Sequence, residues 1–189
     1  MMPTRSRAAL LSLLVAGCGG GTTSKTDGGA DGSVVGRDMA VLPAGCSGTL
    51  KGALNGKFAS CTISITQGMG DQTLQLIPGN WTGDAISTFQ IALVLAGGVQ
   101  VKSYKSKDIA DGSIVTVVDR STAARYLAQP DPGGFQGQLE LNVASPPKNP
   151  GMDTTWADKS THGALTGTLV HDPNTTGDPA ATVALSATF

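Results

Sequence analysis

The sequence is poor in charged and aromatic residues, and this shortage excludes several classes of protein. Only 14% of its 189 residues are Asp, Glu, Lys or Arg, and only 4% are Phe, Trp or Tyr. Coiled coils and long helical bundles need many charged helix-forming residues, so the composition excludes them. A formal charge of -1, without a basic cluster, argues against a protein that binds nucleic acid electrostatically. We therefore expect no nucleic-acid partner.

Side chains that commonly do chemistry are also scarce. The chain has two histidines, His162 and His171, and its single glutamate is Glu140. The histidines are an odd number of residues apart, so on one continuous strand they would face opposite ways, and Cys or Glu partners for a zinc site are missing nearby. The Gly-x-Ser-x-Gly motif of serine hydrolases is absent. We therefore predict no metal and no cofactor, and we favour a protein that is not an enzyme.

The N-terminus, by contrast, carries a compact leader. Arg5 and Arg7 precede the apolar run Ala8–Ala16, which is too short to span about 30 Å of hydrocarbon. The run ends in Leu14-Val15-Ala16-Gly17-Cys18. This segment resembles the lipobox of bacterial lipoproteins, in which an aliphatic residue and two small residues precede an invariant cysteine.

The resemblance implies that the sulfur of Cys18 takes a diacylglycerol and that residues 1–17 are removed as a signal peptide. Acyl chains such as palmitate would then hold the protein to a membrane, since each buried CH₂ contributes about 0.8 kcal/mol. In this family an acidic residue after the cysteine favours retention in the inner membrane, and this chain has Gly19 there. We therefore expect a lipoprotein of the bacterial outer membrane, on its periplasmic or its surface face.

Residues 18–44 are predicted to be the lipidated cysteine and a flexible tether. The segment is rich in Gly, Ser, Thr and Asp, and apolar periodicity is absent before Val34. A linker of this length and composition reaches roughly 25–30 Å on average. We expect it to hold a folded domain, residues 45–189, clear of the lipid headgroups.

The folded domain alternates polar and apolar residues with a period of two, which is typical of strands. The glycines at 97 and 98 predict a three-residue turn that pairs Leu95 with Val99. About nine or ten short strands predict an all-β antiparallel sandwich, with a small β-barrel as the alternative. The strands are expected near residues 49–54, 57–66, 73–77, 88–95, 99–103, 113–119, 122–128, 137–144, 164–171 and 181–189.

Cys46 and Cys61 are expected to form a disulfide, because the compartment beyond the inner membrane is oxidising. The bond would close a short loop and contribute about 3 kcal/mol. The Asn55-Gly56 pair, however, predicts a two-residue hairpin turn that leaves the two cysteines four residues out of register. Either residues 46–48 leave the ladder or the bond is absent, and we favour the bond.

The segment Ser145–Thr161 is the longest predicted loop, and it contains three prolines. Loops of this length are often functional. A tryptophan beside carboxylates suits a sugar ring or a protein partner, although Trp156 could instead plug one end of the domain. The candidate binding residues are Asp153, Trp156, Asp158 and His162, together with Trp81 from a second turn region.

Three functional hypotheses follow. The first is a lipid-anchored, non-enzymatic binding or structural module, whose partner is a protein or a glycan. The second is an envelope hydrolase with its site in the 145–162 loop, which requires Asp153, Asp158 and His162 to converge. The third is an outer-membrane β-barrel, because the alternation up to Phe189 is similar to the C-terminal signal of such barrels, although few aromatics are present to form girdles.

Overall fold

The computed structural model describes residues 45–148 and 154–189, and these residues fold almost entirely as β-structure. The only helical turn among them is a 3₁₀ turn at Ser106–Asp108. The strands are β1 Ser47–Gly52, β2 Gly56–Gln67, β3 Asp71–Gly83, β4 Ile86–Ala96, β5 Ser103–Lys105, β6 Ile114–Asp119, β7 Arg125–Asp131, β8 Gly134–Gln136, β9 Gln138–Ser145, β10 Thr155–Ala157, β11 His162–His171 and β12 Thr182–Thr188.

Eight of these strands form a closed antiparallel barrel. The order around the wall is β11-β12-β1-β2-β3-β4-β6-β7, and β7 pairs back onto β11 through Leu127 with Val170 and Tyr126 with His171. The all-β prediction is therefore confirmed, and the closed wall fits the barrel alternative more closely than the sandwich. β2, β3 and β4 contain 12, 13 and 11 residues, and long twisted strands let a sheet coil until its edges meet.

Four short strands extend the wall. β9 pairs with the part of β11 that β7 leaves free, and β5 pairs with β9. β8 pairs with β7, and β10 pairs with β2 beyond the end of β1. The sequence pattern missed β5, β8 and β10, because each has three residues and too few alternations to be recognised.

The barrel interior is filled by the apolar residues of the alternating pattern. β12 shows this clearly, since its residues are exposed and buried in strict alternation and Phe189 is buried just beyond it. The side chains that are nearly inaccessible include Leu50, Phe58, Ile65, Leu74, Leu76, Ile91, Leu93, Leu95, Tyr104, Leu141 and Leu165. One continuous hydrophobic core therefore lies inside the wall.

The barrel has two ends, which we name by the chain. β1 is entered from the side that we call the entry end, and Cys46 lies beside Cys61, six residues before the end of β2. The loops 68–70 and 97–102 lie at the entry end itself, because β2 and β4 run antiparallel to β1 and β3 and finish there. The loops 51–55, 120–124 and 172–181 lie at the opposite end, which we call the far end.

The predicted turn at Asn55-Gly56 is wrong. Leu50 pairs with Gly56, so residues 51–55 form a five-residue loop in place of a two-residue turn. Leu54 is 2% exposed because the longer loop turns it into the core, and the Asn55 side chain donates to the Gly52 carbonyl oxygen (3.0 Å). Burying Leu54 contributes about 1.5–3 kcal/mol, which favours this register over the tight turn.

The new register also brings the cysteines together. Phe58 pairs with Gly48 where the tight turn would have paired it with Ala53, so β1 slides five residues along β2. Cys46 and Cys61 then lie side by side with Cα atoms 5.1 Å apart, and they are bonded. The predicted disulfide is confirmed, and residues 46–48 do not need to fold away from the ladder.

The predicted pairing of Leu95 with Val99 is also wrong. Gly97 and Gly98 have positive φ angles of 73° and 85°, as the turn required, but the chain then runs on to β5, which pairs with β9. Leu95 bridges to Ile109 instead. The Val99 amide donates to the Gln72 side chain (2.8 Å), so a contact with β3 replaces the hairpin.

Candidate functional site

The predicted 145–162 loop is partly a strand, and its tryptophan lies inside the protein. Thr155–Ala157 form β10, in which Trp156 is the partner of Ile65 on β2. Trp156 is 6% exposed and belongs to the hydrophobic core. Asp153 lies outside the described residues. The ring that a sugar could have used is therefore covered by the barrel.

Asp158 shapes the turn between β10 and β11. Its carboxylate accepts hydrogen bonds from the Ser160 hydroxyl (2.8 Å), from the Thr161 amide (2.8 Å) and from the Thr161 hydroxyl. Burial alone would raise the pKa of Asp158, but these hydrogen bonds outweigh it and hold the pKa below its usual range. The residue is thus an ionised acceptor whose oxygens are already occupied, which suits a structural carboxylate better than a proton donor.

His162 begins β11 on the other side of the fully buried Thr161. It is half-buried, and it lines a shallow hollow of about 400 Å³ with Asn142 and Phe189. The carboxylate of Asp158 is turned toward Ser160 and Thr161 instead. Asp158 and His162 are therefore close in the chain, but the Asp158 carboxylate bonds to Ser160 and Thr161, and His162 lines the hollow.

Trp81 lies far from this turn. It pairs with Phe58 on β2, whereas Trp156 pairs with Ile65, seven residues further along the same strand. At about 3.3 Å per residue, the two tryptophans are separated by roughly 23 Å. Trp81 packs edge-on against Phe89 (5.9 Å between ring centres), and its indole N–H donates to the Asp84 carbonyl oxygen (2.8 Å). Trp81 therefore does not share a site with Trp156.

The turn that follows β11 closes the far end of the barrel. The Asp172 carboxylate accepts hydrogen bonds from the Arg125 guanidinium and from the Asn174 amide (2.9 Å). Burial would raise the pKa of Asp172, but the Asn174 and Arg125 hydrogen bonds outweigh it and lower the pKa. These contacts make the segment 172–178 a turn that fastens β7 to β11.

His171 and His162 occupy opposite ends of β11, about 30 Å apart at the rise of a strand. The His171 ring packs edge-on against Tyr126, and its Nε2 bonds to the Thr176 carbonyl oxygen (2.9 Å). Within residues 45–148 and 154–189, three or more His, Cys, Asp or Glu side chains do not converge as a metal site would need.

A groove on the outside of the barrel is a second candidate surface. It measures about 690 Å³ and lies between β5, the corner from β8 to β9, and β11. Lys105 and Lys107 lie along it, and so does Glu140, which accepts a hydrogen bond from the Ser103 hydroxyl (3.2 Å). Phe135, half-buried, adds an aromatic ring to the lining. Ammonium, carboxylate and aromatic groups together suit a polar ligand with both charged and ring-shaped parts.

Local sequence patterns contain almost no signal of this groove. Its walls come from residues 105–107, 135–140 and 166–168, which are far apart along the chain and meet only because β5, β9 and β11 are neighbours. Glu140 is the chain's single glutamate, and that was the one local signal available.

In the part of the chain that the structure describes, no helix is long and apolar enough to cross a bilayer.

Comparison with known proteins leaves the function open. The chain matches no protein-family model, no curated protein and no solved structure. What the protein does must therefore be inferred from its own residues.

Proposed function

We propose that the chain is a bacterial envelope lipoprotein, anchored through a lipid on Cys18, whose barrel serves as a non-enzymatic binding or structural module. The leader carries this proposal: two arginines, a short apolar run and Leu14-Val15-Ala16-Gly17-Cys18 occur in the order that lipidation requires. Residues 1–44 lie outside the described residues, so the proposal depends on their sequence.

The disulfide between Cys46 and Cys61 independently supports export. Structural disulfides persist in oxidising compartments and are rare in the cytosol. Both cysteines contact the hydrophobic core, so the bond is part of the fold and not an exposed thiol pair. An envelope location would account for the presence of this disulfide.

The placement of the candidate residues supports a module that is not an enzyme. Asp158 supports a turn, Trp156 fills the core and Trp81 packs on Phe89. In an envelope hydrolase with its site at the 145–162 loop, Asp158 would have to break its hydrogen bonds to Ser160 and Thr161 before it could contact a substrate. The groove beside Lys105 and Lys107 is the more suitable surface for a protein or glycan partner.

The outward faces of the strands favour a wall that meets water over an outer-membrane β-barrel. β12 presents Thr182, Ala184, Ser186 and Thr188 outward, while its apolar residues face inward. β2 likewise presents Lys57, Thr62 and Gln67 to solvent. A barrel in a bilayer needs the opposite arrangement, with an apolar band on the outside.

The anchor is tested by labelling cells that express the full chain with a palmitate analogue and then separating their membranes. We expect the label and the membrane association to disappear in the Cys18→Ser variant and to remain in the Cys46→Ser/Cys61→Ser variant, which keeps the lipobox. A Gly19→Asp variant should keep the label and shift toward the inner membrane. Label that persists without Cys18 would overturn the proposal.

The binding surface is tested by comparing glycan and protein capture by the wild-type chain with that of Lys105→Glu/Lys107→Glu. Lys57→Glu is the matched control, since Lys57 is an exposed lysine outside the groove. Loss of capture in the groove variant alone supports the groove. Equal capture by all three proteins would exclude it.

A further inference from the structure

The exposed large apolar residues of the described chain are unevenly placed. They are Met69, which is fully exposed, Val101 (62% exposed) and Ile77 (55% exposed). Met69 and Val101 occupy two loops at the entry end, whereas Ile77 lies within β3 on the barrel wall. We call residues 68–70 and 97–102 the tip loops.

The tip loops form one connected rim. The Gly97 amide donates to the Gly70 carbonyl oxygen (2.9 Å), and the Val99 amide donates to the Gln72 side chain just after the first loop. Met69 and Val101 thus belong to a single surface.

Buried groups hold these loops in shape. The hydroxyl of Tyr104, which is 1% exposed, donates to the Gly98 carbonyl oxygen (2.8 Å) and accepts from the Gln100 amide (2.7 Å). The first loop is closed by the Gly68 amide, which donates to the Asp71 carbonyl oxygen (3.0 Å). The two loops are therefore held in fixed shapes that leave the side chains of Met69 and Val101 exposed.

The described chain enters the barrel from the side of this same end. β1 runs antiparallel to β2, and the entry point at Cys46 lies beside Cys61, six residues before the end of β2 at Gln67. Residues 19–44 precede it, and a linker of this composition reaches roughly 25–30 Å. This reach exceeds the roughly 20 Å that separates Cys61 from the end of β2, so a lipid on Cys18 would allow the tip loops to meet the membrane.

We propose that the tip loops rest on the lipid surface to which the chain is anchored, with Met69 and Val101 in the boundary between headgroups and acyl chains. Two exposed lysines lie near this rim: Lys102, whose ammonium is 4.5 Å from the centre of the Tyr104 ring, and Lys148, next to Pro147, which lines a hollow with Gly70. We expect both to meet lipid phosphates. Apolar side chains flanked by lysines are the composition that favours this boundary. The inference rests on the proposed lipid anchor, which supplies the nearby membrane.

The test anchors the protein without relying on native lipidation. Cys18 is the only cysteine outside the disulfide, so a chain beginning at Cys18 can be coupled to a maleimide lipid in nanodiscs of phosphatidylethanolamine and phosphatidylglycerol. This chain keeps the whole barrel, its core and its disulfide. A gadolinium-chelating lipid then relaxes the amide signals of residues near the surface.

We expect amides of the tip loops to relax at least about threefold faster than those of residues 52–55 and 120–123 at the far end. Met69→Asp/Val101→Asp should abolish this contrast, and Ile77→Asp, the matched control, should keep it. Unchanged shifts of the core strand amides show that each variant is folded. Equal relaxation at the two ends, or a contrast that survives in the double variant, would overturn the proposal.

The two proposals fail separately. An unmodified sulfur on Cys18 in the native protein would remove the anchor, but it would not alter the relaxation measured in the chemically coupled chain. Contact in the coupled chain, together with a free Cys18 sulfur in the native protein, would keep the lipid affinity of the tip loops and remove only the native anchor.

Discussion

The two ends of the barrel differ in what they leave exposed: the far end is closed by packed aromatic and ion-paired side chains, whereas the entry end leaves two large apolar side chains outside. At the far end Leu54 turns inward, Phe58 and Trp81 pack on Phe89, and Arg125 clamps the turn at Asp172. At the entry end one backbone hydrogen bond and the buried Tyr104 hydroxyl fix the tip loops, and the Met69 side chain is fully exposed.

Different side chains therefore stabilise the fold and remain exposed on its surface. Residues that one would rank as binding candidates from their chemistry, such as Trp81 and Asp158, are used to hold the fold. Met69 and Val101 carry no titratable group, yet their side chains are the ones exposed for contact with other molecules. A tryptophan or a carboxylate in a turn-rich sequence can thus stabilise the fold instead of binding a ligand.

The largest expected effect is at the far end. Phe58→Ala should lower the free energy of unfolding by about 3–5 kcal/mol, because Phe58 is 1% exposed and contacts the Phe89 ring. Chemical denaturation of the purified chain measures this loss. A loss under about 1 kcal/mol would show that the aromatic cluster does not stabilise this end.

Removing the disulfide should have the next largest effect. Cys46→Ser/Cys61→Ser is expected to lower the free energy of unfolding by about 3 kcal/mol, because the bond restricts a loop of 15 residues in the unfolded chain. Thermal unfolding with and without a reducing agent checks it. The wild-type chain under reducing conditions should match the double variant, and a wild-type chain insensitive to reduction would contradict this expectation.

Asp172→Asn should destabilise the far end by about 1–3 kcal/mol. The change replaces the carboxylate that accepts hydrogen bonds from Arg125 and Asn174 with a neutral amide. Arg125 is 43% exposed, so water limits the contribution of the ion pair itself. Hydrogen exchange should rise first at Tyr126 and His171, which close the barrel. Faster exchange confined to the entry end would contradict this assignment.

The acid sensitivity of the fold has a definite sign. Asp158 and Asp172 have folded pKa values below the usual 3.8, so between the folded and unfolded pKa values the unfolded chain binds more protons. Their contribution to stability is therefore complete above the unfolded pKa and is lost as the pH falls through the folded pKa. Denaturation curves from neutral pH down to acid should show this decline, and Asp172→Asn should flatten it. A decline of equal size in Asp172→Asn would assign it to other groups.

The smallest effect is expected at the exposed tip. Met69→Ala should change the free energy of unfolding by less than about 0.5 kcal/mol, because its side chain is fully exposed. The same denaturation assay used for Phe58→Ala measures it. A loss as large as that of Phe58→Ala would abolish the distinction between the two ends.

The sequence was sufficient for the longer strands but not for the three-residue strands or for the register. Alternation located β4, β11 and β12, because each has one buried face. The register of β1 against β2 depends on whether the Leu54 side chain is buried in the core. The Asn55-Gly56 pair does not indicate whether it is. The disulfide was predictable from compartment chemistry even though the geometry deduced from the turn argued against it.

The candidate site was less predictable for a similar reason. Trp156 became part of the core because β10 found a free stretch of β2 next to the end of β1. The groove beside Lys105 and the rim at Met69 depend on which strands become neighbours around the barrel. Such neighbours are fixed by closure of the whole wall, and no local pattern contains them.

The central claim is the lipid on Cys18, and the intact mass of the polypeptide extracted from membranes tests it most directly. We expect a chain that begins at Cys18 and carries a thioether-linked diacylglycerol. A free sulfur at that position, or a polypeptide that still contains residues 1–17, would contradict the account.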